Sequence, residues 1–242
     1  MPLLIAALCL SLVGSAAGQG ADRLEHIRLF QSFARDASIA PDHYAEGGLY
    51  FSTAAFVDAF SLGAQGGYAL DGRTEINASG RWHRQSFAGG IPSRSGLGDL
   101  ALSARRRLVR GGGRWVAGAS LVLPTGSGEV GEGQFDFGGF AAVRQPLDRG
   151  LVASGSTGLD LVETAGGRDL SLWLAGGLVY PRSQRLHLIG ELAIASQADY
   201  SLLSVGADWL LQGGDRVRGL LGLGLDDGAP DWLLGATYMR GF

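Results

Sequence analysis

The chain contains no lysine: its 20 basic residues are all arginine, and against 23 acids they leave a net charge of −3. That balance supplies no basic face, so nucleic-acid binding has no electrostatic footing. Cysteine occurs once, at Cys9, which excludes an intrachain disulfide and a thiolate metal cluster. Proline is scarce at 7 residues, and the 41 glycines keep no period of three, so a proline-rich linker and a collagen-like triple helix are both excluded. Charge is sparse at 18%, yet with 46% hydrophobic content and 242 residues the chain can bury a core, which excludes disorder. Beyond the first residues there is no apolar run long enough for a transmembrane helix.

What is present begins with an address. Residues 2–14, PLLIAALCLSLVG, are uncharged and apolar, and the small residues of SAAGQG follow, with Ser15 and Ala17 or Ala16 and Gly18 suited to a cleavage site. This pattern predicts a secretory signal peptide over residues 1–18. Leu8 before Cys9 is too bulky for a lipoprotein signal, so the mature chain is expected to carry no thiol.

From about residue 48 onward, apolar residues alternate with small or polar ones in stretches of 9 to 12, divided by glycine, proline or aspartate breaks. Trp232, Leu234, Ala236, Tyr238 and Phe242 share one face of the last stretch; Asp231, Gly235, Thr237 and Gly241 share the other. Period two is the signature of a strand with two different faces. It predicts twelve strands, near 48–58, 61–70, 74–84, 97–108, 114–123, 134–145, 151–162, 169–180, 185–195, 201–211, 215–225 and 231–242.

An even number of antiparallel strands sorts the breaks onto two sides. One side receives LDGR, RGGG, PLDRG, PRSQ and QGGD; the other receives the generally longer QSFAGGIPSRS, PTGSGEVGEG, ETAGGR, SQADY and DDGAPD. Short turns opposite long loops are the mark of an outer-membrane barrel, with turns and both chain ends periplasmic. Outward-facing aromatics fall into two girdles, Tyr68, Trp115, Tyr180, Trp209 and Tyr238 near the turns and Trp82, Phe135 and Trp232 near the loops. The expected fold is all-β: a transmembrane antiparallel up-and-down β-barrel of about 12 strands (10 to 14) over residues 47–242. Residues 19–46 behave differently. Leu24, Ile27 and Phe30 recur at helical spacing, which is compatible with a short amphipathic helix, a plug or a periplasmic tail.

LDGRTEI, RWHRQSFAGGIPSR, GLGDLALSARRRL, LVLPTGSGE, DFGG and the terminal DDGAPDWLLGATYMRGF, in this order, resemble an uncharacterised family of Gram-negative outer-membrane barrels of unknown function. The GLGDL and LPTG pair is also similar to the meta-pathway of phenol degradation family, a related set of presumed outer-membrane transporters. The resemblance covers roughly residues 62–242. It implies a location, a fold and passage of a small solute, hydrophobic or aromatic solutes included. It also implies that Tyr238 and Phe242 serve as the C-terminal signal read by the barrel assembly machinery.

Alternation places Glu75, Arg81, His83, Asp99, Arg105, Arg107, Arg114, Asp136, Arg144, Asp160, His187, Glu191, Asp208, Arg216 and Arg218 toward the lumen. Such mixed charge either lines a water-filled pore or locks into salt bridges that fill it. Arginines gather toward the turn side and acids such as Glu129, Asp136, Asp160 and Asp231 toward the loop side, a field favouring cations at the outer mouth and anions at the exit. The outer acids equally suit divalent ions bridging lipopolysaccharide. Catalysis is not expected: His83 and Ser86 are the one close His/Ser pair in the sequence, and on a strand they face opposite sides. His26, His43 and His187 are isolated, GGGR and GLGLDDG sit in turn and strand contexts, and no cofactor or metal is expected. The reading is a monomeric outer-membrane channel for a small solute; the alternatives are a closed structural or lipid-interacting barrel and a lipid-modifying enzyme.

Overall fold

A computed structural model of the chain describes residues 27–108, 114–131, 133–164 and 167–242. The predicted signal peptide, Leu24 and His26 lie outside the described residues. The strands are β1 Tyr44–Ala54, β2 Val57–Asp71, β3 Thr74–Phe87, β4 Arg94–Leu97, β5 Leu100–Leu108, β6 Arg114–Leu123, β7 Asp136–Pro146, β8 Val152–Thr164, β9 Gly167–Pro181, β10 Leu186–Ala195, β11 Tyr200–Leu210, β12 Arg216–Gly224 and β13 Trp232–Gly241. Every paired strand is antiparallel to its partner, and β1 pairs with β13 as well as with β2, so the sheet closes on itself. β4 and β5 both pair with β3 and together fill one position, which makes the closed barrel twelve-stranded. Among the described residues only the short β4, which pairs with β3 alone, keeps a free edge; the rest of the ring is paired on both sides, the condition that a sheet must meet to stand in lipid.

The register sets the two faces. Leu49, Leu159, Leu178, Leu223 and Leu234 point outward and are exposed, while Glu46, Glu75, Ser154, Glu191 and Ser204 point inward and are buried. A belt of leucine outside and polar side chains inside is the inverse of a soluble core. Tyr68, Tyr180, Trp209 and Tyr238 are exposed near the turn end, and Phe135 near the loop end; Trp82, Trp115 and Trp232 lie on the same outward register, half-buried. At the β11–β12 turn, Gly213 and Gly214 both take positive φ, 91° and 94°, which a side chain would resist.

Three boundaries differ from the alternation. The first strand begins at Tyr44 and turns at residues 55–56, about four residues ahead of the expected hairpin and ahead of residue 47. Its opening, Tyr44-Ala45-Glu46-Gly47-Gly48, carries its polar residue inward and glycine in place of outward apolar residues, so it shows no alternation to read. β3 runs on to Phe87, and the strand expected at 97–108 starts at Arg94 and breaks at residues 98–99.

Residues 27–43 form neither a helix of any length nor a strand; they hold one 3-10 turn, Phe33–Arg35. They run inside the barrel. Ile27 and Leu29 pack on Val152, Val179 and Ile189, Ala37 and Ile39 on Val116, Phe140 and Ala142, and Phe33 and Ala40 on Tyr44. These wall positions lie in the turn half or middle of their strands, so the segment enters from the turn end, folds back at Phe33–Arg35, and leaves into β1. This re-entrant loop, not a sheet-on-sheet interface, supplies the interior packing.

Candidate functional site: the lumen and its re-entrant segment

Four carboxylates hold the segment. Glu191, at mid-barrel on β10, accepts the backbone N–H groups of Phe30, Gln31 and Ser32 at 2.7, 2.8 and 2.8 Å and the Ser32 hydroxyl at 2.7 Å. Three successive N–H groups turned on one oxyanion make a backbone nest for a negative charge. Glu75, near the start of β3, accepts from Arg28 and Arg105 at 2.7 Å each, from the backbone N–H of Ala40 at 2.8 Å and from the Tyr44 hydroxyl at 3.0 Å. Asp36, on the segment, accepts from Ser154 at 2.7 Å and from the backbone of Leu29 at 3.0 Å, and pairs with Arg144 at 3.4 Å. Burial by itself would push the Asp36 carboxyl up. Arg144, the Leu29 N–H, the Ser154 hydroxyl and Arg105 outweigh it and hold the group below its ordinary value, so it stays charged at neutral pH. The fourth carboxylate, Asp160, takes both terminal nitrogens of Arg35 at 2.8 and 2.9 Å.

The wall arginines grip the backbone of the segment. Arg144 donates to the carbonyl of Ile27 at 2.5 Å, Arg218 to those of Arg28 and Leu29 at 2.6 and 3.2 Å, and Arg105 to those of Phe33 and Asp36 at 2.9 and 3.1 Å. A segment without helix or strand must find partners for its buried carbonyls, and these guanidiniums provide them. Arg218 also lies over the rings of Phe30 and Phe33, 4.7 and 5.3 Å from their centroids, and pairs with Glu46 and Asp208.

The wall is recessed where apolar side chains of the segment arrive. A Cβ on Gly177 would lie 2.7 Å from Leu29 Cδ2 and 2.7 Å from the carbonyl oxygen of Gly190. Gly177→Ala is therefore expected to destabilise the folded barrel by about 1–3 kcal/mol through overpacking. Leu29→Ala in the same chain should recover the part due to the segment, read as a coupling in the melting of the two single variants and the double one; strict additivity would show that Leu29 does not sit there.

Cavities adjoin the segment, among them three lined by described residues. A vestibule of about 550 Å³ opens above its tip toward the loop end, lined by His83, Asp99, Asp136, Asp160, Trp173 and Tyr200 among others. A cup of about 680 Å³ lies at the turn end beside Arg28, Pro41, Asp42, Arg185, His187 and Arg216. A smaller cavity of about 190 Å³ lies between Phe30, Gln31 and Phe33 and the wall at Tyr50, Arg81 and Arg218.

The residues expected to line the lumen thus divide by task. Glu75, Arg105, Arg144, Asp160, Glu191 and Arg218 touch the segment. Arg216 and Asp208 pair with each other at 2.6 Å, and His187 lies opposite Asp208 in register. Arg81 lies over the Tyr50 ring at 4.7 Å. Arg107 and Arg114 stand at the turn end opposite Val116 and Arg144. Asp99 sits at the break between β4 and β5 and accepts the backbone N–H groups of Gly126 and Gly133 at 2.7 and 3.2 Å, pinning the loop after β6. Asp136 accepts the backbone N–H of Glu163 at 2.9 Å at the vestibule wall.

His83 does have a serine partner, but across the sheet. Its Nδ1 lies 2.9 Å from the hydroxyl of Ser61 on β2, the residue opposite in register, while Ser86 points outward and is exposed. Among the described residues no carboxylate meets the other ring nitrogen, the third member that orients a catalytic histidine. Arg28, Arg35, Asp36, Tyr44 and Glu46 have no place in the alternation. For Arg28, Arg35 and Asp36 the one signal in the sequence is the interleaving of apolar and charged residues over 27–40, too apolar for a solvated tail; Tyr44 and Glu46 open β1, where alanine and glycine hide the period.

No protein-family profile matches the chain, and no curated protein does. Among solved structures it is similar to the COG4313 outer-membrane channel from Pseudomonas putida F1, with a TM-score of 0.74 at 17% identity over 89% of this chain and 100% of that one. It is also similar to the KdgM porin in complex with disordered oligogalacturonate, TM-score 0.62 at 8% identity, covering 82% of this chain and 99% of the porin. The NanC porin follows with a TM-score of 0.56 at 10% identity over 83% and 98% of the two chains. At these identities the likeness is one of fold: the closed antiparallel barrel of outer-membrane channels and porins.

Proposed function

We propose that the protein is an outer-membrane channel for a small solute, closed by its own residues 27–43 and conducting when that segment leaves its seat. The observation that carries the reading is the way the segment is held. Beside its three apolar clusters, the segment is held by charged and hydrogen-bonding groups of the wall, and once it withdraws those groups face a passage that water can fill. Arg105, Arg144 and Arg218 would then stand toward the turn end and Asp136 and Asp160 toward the loop end, a graded field along the route. The likeness in fold to channels and porins supports the same reading. We place the turns and both termini in the periplasm, read Tyr238 and Phe242 as the signal to the assembly machinery, and take lipid and lipopolysaccharide as the surroundings of the exposed belt. Kinship with the uncharacterised barrel family and with the phenol-degradation transporters rests on motif order alone, as does a hydrophobic or aromatic solute.

The test is single-channel recording in planar bilayers of the refolded barrel and of a variant lacking residues 27–39, both first shown to be folded by heat-dependent gel mobility. The intact chain should dwell closed with intermittent openings, and the shortened one should hold a steady open level. Silence from both would favour a closed structural barrel. An intact chain as open as the shortened one would remove the segment from the mechanism.

A further inference from the structure

We propose that the vestibule is a binding site for a small solute bearing a guanidinium or similar planar cation, and that Arg35 of the re-entrant segment is its resident occupant. The inference rests on the channel reading for its physiological sense, though not for its geometry.

Asp160 meets Arg35 fork to fork, with both terminal nitrogens on the two carboxylate oxygens at 2.8 and 2.9 Å, and the Ser120 hydroxyl stands 3.3 Å from one of them. The guanidinium carbon lies 5.4 Å from the centre of the Trp173 ring. A carboxylate, a hydroxyl and an aromatic face converging from three strands form a complete receptor for a planar cation. Trp173 is placed for this and for nothing in the membrane: its register partners Gly158 and Ala195 face the lumen, whereas Trp82, Trp115, Trp209 and Trp232 all face outward. Its indole N–H is buried without an acceptor among the described residues, a donor that a bound solute carrying a carbonyl would satisfy.

Exposure separates this contact from the other latches. The Arg28–Glu75, Arg105–Glu75 and Arg144–Asp36 side chains are 0–2% exposed, but Arg35 and Asp160 are 20% and 18% exposed. Asp160 and Trp173 line the vestibule, and Asp136 presents a further carboxylate there. Arg81, an inward cation of the wall, is turned onto Tyr50 and lines the smaller cavity. At about 550 Å³ the vestibule falls within the roughly 300–1,000 Å³ of small-molecule sites. A solute arriving from the loop end therefore meets this pair first, and by taking Asp160 and Trp173 it displaces the tip of the segment.

Because Arg35 is tethered, it competes at high effective concentration and holds the apparent affinity of the intact protein down. The probes are Nα-acetyl-argininamide and its neutral near-isostere Nα-acetyl-citrullinamide, titrated by calorimetry into the full-length refolded barrel. Arg35→Ala should bind the arginine probe at least about tenfold more tightly than the intact chain, the factor expected when a site nine-tenths occupied is vacated. Adding Asp160→Asn to Arg35→Ala should abolish that binding, and the citrulline probe should not bind. Should Arg35→Ala fail to refold, Arg35→Met, which keeps an unbranched stem over Trp173, replaces it. No gain in Arg35→Ala, survival of binding in the Asp160→Asn chain, or equal binding of the citrulline probe would each overturn the site. Calorimetry needs no conduction, so binding as expected in a barrel that never conducts leaves this site standing while the channel reading falls, and conduction without binding does the reverse.

Discussion

Glu191→Ala should convert the barrel from mostly closed to mostly open in planar bilayers. The carboxylate accepts four donors from the segment, three of them successive backbone N–H groups. Each buried donor left without an acceptor costs about 1–3 kcal/mol. Water from the adjoining cavity at Phe30 and Gln31 can reach some of them, so a net loss of about 4 kcal/mol is taken, several hundredfold in the ratio of unseated to seated segment. Glu191→Gln keeps the shape and one carbonyl oxygen and should fall between the two. Closed dwell times in Glu191→Ala equal to those of the unmodified protein would show that the nest is not what holds the segment.

Glu75→Ala should be the most damaging substitution to stability in the lumen. It strands two guanidiniums, Arg28 and Arg105, whose side chains are 2% and 1% exposed, and it removes the acceptor of the Tyr44 hydroxyl. Removing one member of a buried ion pair costs about 3–5 kcal/mol, because the survivor is left charged and dry. Arg105 belongs to β5 and Tyr44 opens β1, so the loss reaches the barrel wall and should appear as a lowered midpoint of heat-dependent gel mobility. Asp160→Asn breaks a pair that water already reaches and should cost no more than about 1 kcal/mol. Equal midpoints for the two variants would contradict the burial argument.

The two residues also mark how far the sequence could be read. Glu75 and Glu191 are found by alternation, because a strand with lipid on one side must put its charge on the other. Their partners are not, because Arg28, Ser32 and Asp36 lie in a segment without periodicity, where no repeat says which way a side chain points. Ser61 and His83 make the same point inside the sheet. They stand 22 positions apart in sequence and face each other only because the β2–β3 hairpin sets their register, whereas the nearer Ser86 is on the wrong face. The opening of β1 at Tyr44 carries no period in the sequence for a related reason. Its outward positions are alanine and glycine, and its inward glutamate answers to Gln65, Thr237 and Arg218 on three other strands.

By itself the sequence determined a closed β architecture, the inward and outward faces of nearly every strand, and which breaks share an end. These follow from period two and from the obligation of every backbone group in lipid to be paired, and both are local or topological constraints. Only the tertiary structure decided that the lumen is filled, by which residues, and that its charges serve mainly to grip a re-entrant segment. Those facts depend on contacts between residues as many as 190 positions apart, such as Arg218 with the carbonyl of Arg28, which exist only once twelve strands have closed around the chain.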